Sequence, residues 1–121
     1  MSGFTRADVD ALCGSLPGAT LAHPPELISW KVGGKMFACM GQQDGGDGVS
    51  VKCRDAETSA MLIDAGIGIR AKYFHASWLR LPYDMTPADA FRDRIVISYD
   101  LVRGSLKKSQ RDALPPRQQE T

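Results

Sequence analysis

The chain has 121 residues, with 15 basic and 14 acidic side chains, a net charge of +1 and 43% hydrophobic residues. That is the length of one domain, able to bury about two-thirds of its extended surface. Average apolar and charged fractions exclude a wholly disordered or collagen-like chain, and the near-zero total charge gives no global pull toward nucleic acid or membrane. Any functional signal must therefore lie in where the charges sit.

Thr5-Arg6-Ala7-Asp8 has the spacing of a capping box, with an acid three residues after the N-cap. Val9, Leu12, Cys13 and Leu16 follow at the spacing of one buried helix face, and Leu16-Pro17-Gly18 stops the helix. After Pro24-Pro25, Ile28, Trp30 and Val32 alternate with Ser29 and Lys31, which predicts a half-buried strand. Gly33-Gly34 is a two-residue hairpin signal and Lys35 to Met40 the returning strand. Gln42 to Gly48, QQDGGDG, reads as a glycine-rich loop tip, and Val49 to Cys53 alternates again.

Asp55 is the expected N-cap of a second helix, whose apolar residues Ala56, Ala60, Met61 and Ile63 lead to a stop at Gly66. Residues 67–76 are mixed, with Tyr73 and Phe74 among them, and Ser77 to Tyr83 reads as a strand. Thr86-Pro87 sets an N-cap and first-turn pair for the longest helix. Phe91, Ile95, Ser98 and Val102 form its stripe, and Gly104 ends it. The tail from Ser105 is polar and basic. The prediction is a single domain over residues 1–114 with a disordered tail over 115–121. Its fold class is α+β: a two-layer sandwich, an antiparallel sheet packed by helices, in the order α-β(3)-α-β(1-2)-α.

Several segments together resemble the MmcQ/YjbR family of small bacterial proteins. They are Leu16-Pro17-Gly18-Ala19, Val32-Gly33-Gly34-Lys35-Met36-Phe37-Ala38, Val49-Ser50-Val51-Lys52-Cys53, Tyr73-Phe74-His75 ahead of Ser77-Trp78, Ser98-Tyr99-Asp100-Leu101-Val102, and Leu106-Lys107-Lys108. The resemblance runs from about residue 5 to 111. It implies an antiparallel sheet packed by helices and a likeness to the double-wing DNA-binding domain of a phage transcription activator. DNA binding is thereby implied by fold likeness alone. The chain departs from the common pattern at Gly66-Ile67-Gly68-Ile69.

Strand parity bears on that implication directly. With the apolar parity turned to the helices, Ser29, Lys31, Ser50, Lys52, Trp78 and Arg80 fall on the other face, and Lys35 joins them from the hairpin. Cations around an aromatic suit phosphates and a stacked base; the same lysines also suit an ordinary solvated sheet face. Trp78 is either covered by the C-terminal helix or open for binding.

Charge is also uneven along the chain. Residues 1–30 hold one basic against three acidic groups, whereas residues 91–121 hold seven against four. Lys107 and Lys108 extend the candidate nucleic-acid-binding set, while Arg103 fits a helix C-terminus equally well.

Other chemistries find less support. Ser98, His75 and Asp100 can be written as a triad, but no G-x-S-x-G surrounds Ser98, and its stripe position predicts a buried hydroxyl bonded back to the Arg94 carbonyl. Cys13, Cys39 and Cys53 include no C-x-x-C pair, and the two histidines have no metal-binding spacing. Asp44 and Asp47 lie in the glycine-rich loop and would repel phosphate there. The expectation is a cytoplasmic protein without catalytic residues, metal or cofactor, binding DNA or, alternatively, a protein partner such as a peptide added to a sheet edge. No membrane segment is expected.

Overall fold

The computed structural model describes residues 3–25, 27–43 and 46–116. Ten elements follow in order: α1 (Arg6–Ser15), β1 (Ala19–Ala22), β2 (Ser29–Val32), β3 (Lys35–Gln43), β4 (Gly46–Lys52), α2 (Ala56–Asp64), β5 (Ile69–Arg70), β6 (Trp78–Pro82), α3 (Ala88–Gly104) and α4 (Lys108–Asp112). The strands form one sheet in the order β1-β2-β3-β4-β6-β5, each pair antiparallel. The α+β class and the rough element order agree with the sequence pattern.

Local chemistry accounts for most boundaries. The Thr5 side chain accepts from the Asp8 amide and the Asp8 carboxylate accepts from the Thr5 amide, closing the capping box of α1. Asp55 caps α2 by accepting from the Thr58 amide at 2.8 Å. The β2–β3 turn holds Gly33 and Gly34 at φ +58° and +80°, which is a primed hairpin turn. A β-carbon on Gly33 would also strike the Leu106 side chain 2.5 Å away. α3 differs at its start: Pro87 is the N-cap with no side-chain bond, because the Thr86 hydroxyl donates to the Ile67 carbonyl instead.

Three elements escape the sequence pattern. β1 is four residues, ATLA, ordered by pairing with β2 from Ala19↔Val32 to Ala22↔Ser29. Four strands therefore precede α2. The glycine-rich loop is shorter than its composition suggests, because β3 runs to Gln43 and β4 starts at Gly46. Gly48 belongs to the strand because β6 passes so close that a β-carbon there would lie 2.4 Å from the Leu81 carbonyl oxygen. Asp44 lies outside the described residues. The basic tail also turns back on the fold through α4, with Leu106 buried and Leu114 against Gly18. Of the segment expected to be disordered, residues 117–121 lie outside the described residues.

One buried cluster joins the helices to one sheet face. The α3 stripe, Phe91, Ile95, Ser98 and Val102, is buried as its spacing predicts, and Tyr99 beside it meets Phe37 edge-on at 5.3 Å. Val49, Val51, Leu79 and Leu81 face it from β4 and β6, and Val9 and Cys13 from α1. Full burial of such side chains is worth about 1.5–3 kcal/mol each before entropy is counted. The α2 stripe differs from the pattern: Ser59 is buried and Leu62 and Ile63 are partly so, whereas Met61 is exposed.

Candidate nucleic-acid interface

Pairing registers sort the outward face into two rows. The first runs Ser29, Cys39, Ser50, Arg80 and Ile69 across five strands. The second holds Lys31 opposite Met36 and Lys52 opposite Trp78. A register shift between Trp30 and Lys31 lets Phe37 and Ala38 both turn inward to the core.

The first row is closed. Ser29, Cys39 and Ser50 are buried, and Arg80 is 1% exposed. The Arg80 guanidinium donates to the Gly41 carbonyl and to Ser50 Oγ at 3.4 Å. Burial pulls its pKa below the ordinary arginine value, with Asp47 opposing that shift. Arg80 has the outward parity expected of it, but its head group is spent on protein acceptors, so its expected role as a surface phosphate contact is corrected. The reason lies in its neighbours. Serine and cysteine are too short to shield a sheet, and the arginine reaches from β6 over Ser50 to the Gly41 carbonyl on β3.

The second row is accessible. Lys31 and Lys52 are partly exposed, as is Trp78. Trp78 is covered on one side by Phe74, stacked on it at 4.9 Å and 24°, rather than by the C-terminal helix, and it stays partly exposed. Phe74 comes from the turn between β5 and β6. Arg70 braces that turn by donating to the Ala71 carbonyl at 2.9 Å and the Phe74 carbonyl at 3.2 Å. The Ser77 amide donates to His75 Nδ1 at 3.0 Å on its far side. Tyr73, at the tip, is 96% exposed. Its neighbours in sequence are mixed in polarity, so periodicity gives no hint of it; the only signal was the Tyr73-Phe74 pair itself.

A further set of cations gathers at one end of the sheet. Lys35 follows the Gly33–Gly34 turn, Leu106 packs on Gly33, and Gln110 Nε2 lies 3.5 Å from the Gly33 carbonyl. Lys107 and Lys108, distant in sequence, therefore come to the turn that carries Lys35. All three are exposed. Lys108 is paired with Asp112 at 2.9 Å. Arg103 is committed elsewhere, donating to Tyr99 Oη at 2.8 Å and the Pro115 carbonyl at 2.7 Å. The structure thus brings the Lys107–Lys108 segment to the turn beside Lys35 and withdraws Arg80. Lys35 does not join Lys31, Lys52 and Trp78 as expected: it stands directly opposite core-facing Val32, and residues paired across a ladder share a face, so it lies on the helix side of the sheet and they lie on the other.

Ser98 has a different task from the one its helix position predicts. Its hydroxyl donates to the Phe37 carbonyl at 2.6 Å and accepts from the Lys52 amide at 2.9 Å, bridging β3 and β4 from α3. The carbonyl of Arg94 is not its acceptor, because two strand groups left unpaired by the register shift compete for the same oxygen. Tyr99 Oη donates to the Pro17 carbonyl at 2.6 Å. Ser98 is buried in that bridge, His75 Nδ1 faces Ser77, and Asp100 is exposed.

All three cysteines are free and buried. Burial pushes the Cys13 thiol up to about 12, helped by Asp10, and raises Cys39 and Cys53 as well. Among the described residues, no group of three or more histidines, cysteines or carboxylates could hold a metal. No helix among them is long and apolar enough to cross a membrane.

A solved structure of the Deinococcus radiodurans protein DR2400, with family-model domain DUF419, is similar to this chain with a TM-score of 0.77 and 24% identity. The match covers 89% of this chain and 86% of that one, and at this identity it shows the fold alone. No curated protein matches the chain. The YjbR family model matches residues 14–101, spanning the hairpins, both aromatic segments and most of α3. On that match, the chain belongs to the YjbR family.

Proposed function

We propose that this protein binds nucleic acid, DNA in the first instance, mainly through phosphates at the basic end of its sheet. The observation that carries the reading is the return of the Lys107–Lys108 segment to the Gly33 turn that leads into Lys35, with Lys52 and Trp78 on the opposite face of the sheet. Three separate segments contribute these cations, and exposed ammonium groups exchange counterions for phosphates at little structural cost. The near-neutral chain limits the effect to a local field, so micromolar affinity at low salt is expected. The alternative of a peptide added to a sheet edge has less in its favour, since the edge strands β1 and β5 are four and two residues long.

Fluorescence anisotropy with labelled DNA tests the reading. Affinity should fall steeply between about 50 and 200 mM salt, and the triple variant Lys35→Ala, Lys52→Ala, Lys107→Ala should lower the log–log salt slope by up to about three. Absence of binding at micromolar protein in low salt, or a triple variant that binds like the parent, would sink it.

A further inference from the structure

We propose that the Lys72–His75 turn is a stacking site for unpaired nucleobases, which makes single-stranded nucleic acid the preferred ligand of the basic surface. The inference rests on the function proposed above and specifies its ligand. Tyr73 is the starting point. It is 96% exposed, so its ring contributes almost nothing to the core, yet its backbone sits at φ +70°. That left-handed conformation disfavours a side chain with a β-carbon and suits glycine or asparagine. A tyrosine there is a worse choice for the fold than glycine, and nothing it packs against repays the difference. Residues held in such conformations while presenting a side chain to solvent point to a task outside folding.

The surroundings say which task. The turn is braced at both ends, by Arg70 on the Ala71 and Phe74 carbonyls and by the Ser77 amide on His75 Nδ1. A tyrosine on a braced turn loses little conformational entropy when a planar partner arrives. Phe74, the next residue, stacks on Trp78, and Trp78 is the cross-strand neighbour of Lys52. The exposed ring and the first ring of the stacked pair thus sit on consecutive residues of one turn, and the lysine lies one strand spacing, about 4.8 Å, from the tryptophan. Successive bases with their phosphates meet such a series in single strands, whose faces are free; in a duplex those faces are already stacked.

The test compares a labelled single strand, as DNA and as RNA, with the corresponding DNA duplex, for the parent and for Tyr73→Ala, Tyr73→Phe and Tyr73→Gly. The parent should bind at least one of the single strands more tightly than the duplex, and the two single-strand arms tell which sugar is accepted. Tyr73→Ala should weaken single-strand binding about five- to hundredfold while duplex binding changes less than about twofold. Tyr73→Phe, which keeps the ring, should retain most of the affinity. Tyr73→Gly should lose single-strand affinity as the alanine variant does, and yet melt at or above the parent temperature because it relieves the backbone. Duplex binding undiminished in every variant, with no preference for either single strand, overturns this inference and leaves the phosphate reading standing. No binding of any oligonucleotide overturns both. Equal losses on single strand and duplex would make Tyr73 a general contact and overturn the stacking site.

Discussion

Two rows on the same sheet face, about 7 Å apart along the strands, have opposite characters. The Ser29–Cys39–Ser50–Arg80 row is sealed, and its one cation is 1% exposed. The adjoining row keeps Lys31, Lys52 and Trp78 partly exposed. Parity treats Arg80 and Lys52 alike; packing does not. An outward cation stays outward where its neighbours are tall enough to cover the sheet themselves, as Trp78 with Phe74 does beside Lys52. Where the neighbours are serine and cysteine, the cation becomes the cover. One charge is thereby committed to stability and the other stays accessible.

The sharpest way to break this contrast is to truncate one cation from each row. Arg80→Ala removes the cover and leaves the Gly41 carbonyl and Ser50 hydroxyl without their donor, which should cost about 2–4 kcal/mol in urea unfolding. Lys52→Ala should stay within about 0.5 kcal/mol of the parent. Comparable costs at the two positions would erase the distinction. The next effect reaches the open row from behind. Ser98→Ala strips the Lys52 amide and Phe37 carbonyl of their shared partner, expected to cost about 1–3 kcal/mol, with faster hydrogen exchange at the Lys52 amide. Unchanged exchange there would show the bridge to be dispensable.

How far the sequence carries is clearest at particular residues. Thr5 with Asp8, Asp55, the Gly33–Gly34 turn and the Phe91–Ile95–Ser98–Val102 stripe could all be read, because each depends on neighbours within one or two turns of chain. β1 and α4 could not. Their order comes from Val32 across a strand pair and from Gly18 and Gly33 across the fold. Lys31 and Lys52 were legible by parity and Lys107 and Lys108 by local charge, whereas Lys35, set opposite core-facing Val32, lies on the other face from the one expected. The burial of Arg80, the Phe74 cover on Trp78 and the return of the Lys107 segment to the Gly33 turn depend on side-chain heights and chain returns that periodicity does not encode.

The thiols report on the sealed row with a smaller effect. Cys39 lies between Ser29 and Ser50, and burial raises its pKa while nearby Arg80 pulls it down. The parent should react slowly with a thiol reagent at neutral pH, and Arg80→Met should react faster at Cys39. Loss of the arginine charge would by itself lower the thiolate fraction, so a faster reaction must come from access. Cys13 sets the alkaline limit of the same experiment. Its folded pKa, about 12, lies above the ordinary value of 9.0, so above pH 9 the unfolded chain releases a proton that the folded chain keeps. Stability should therefore fall as pH rises through that window, by about 1.4 kcal/mol per pH unit for each such group. A urea midpoint flat from pH 8 to pH 11 would contradict the buried, neutral thiol.

Finally, the open region itself should divide between two adjacent lysines. Lys107 is exposed, while Lys108 is held on Asp112 at 2.9 Å, four residues along the same helix. Such a surface pair contributes only about 0.3–0.5 kcal/mol to the fold, so neither alanine variant should shift the melting temperature. Their binding effects should differ. A phosphate reaching Lys108 must share the ammonium with a carboxylate and approach that negative charge, whereas at Lys107 it displaces only counterions. Lys107→Ala should therefore lower the salt slope of DNA binding by about one, and Lys108→Ala by clearly less. Asp112→Asn removes the competing charge and should tighten binding at low salt, with a steeper slope. Equal slopes for the two lysine variants, together with an inert Asp112→Asn, would mean that phosphates do not approach this end of the sheet. Unequal slopes would locate the phosphate path on the side of the Gly33 turn where Lys35 stands.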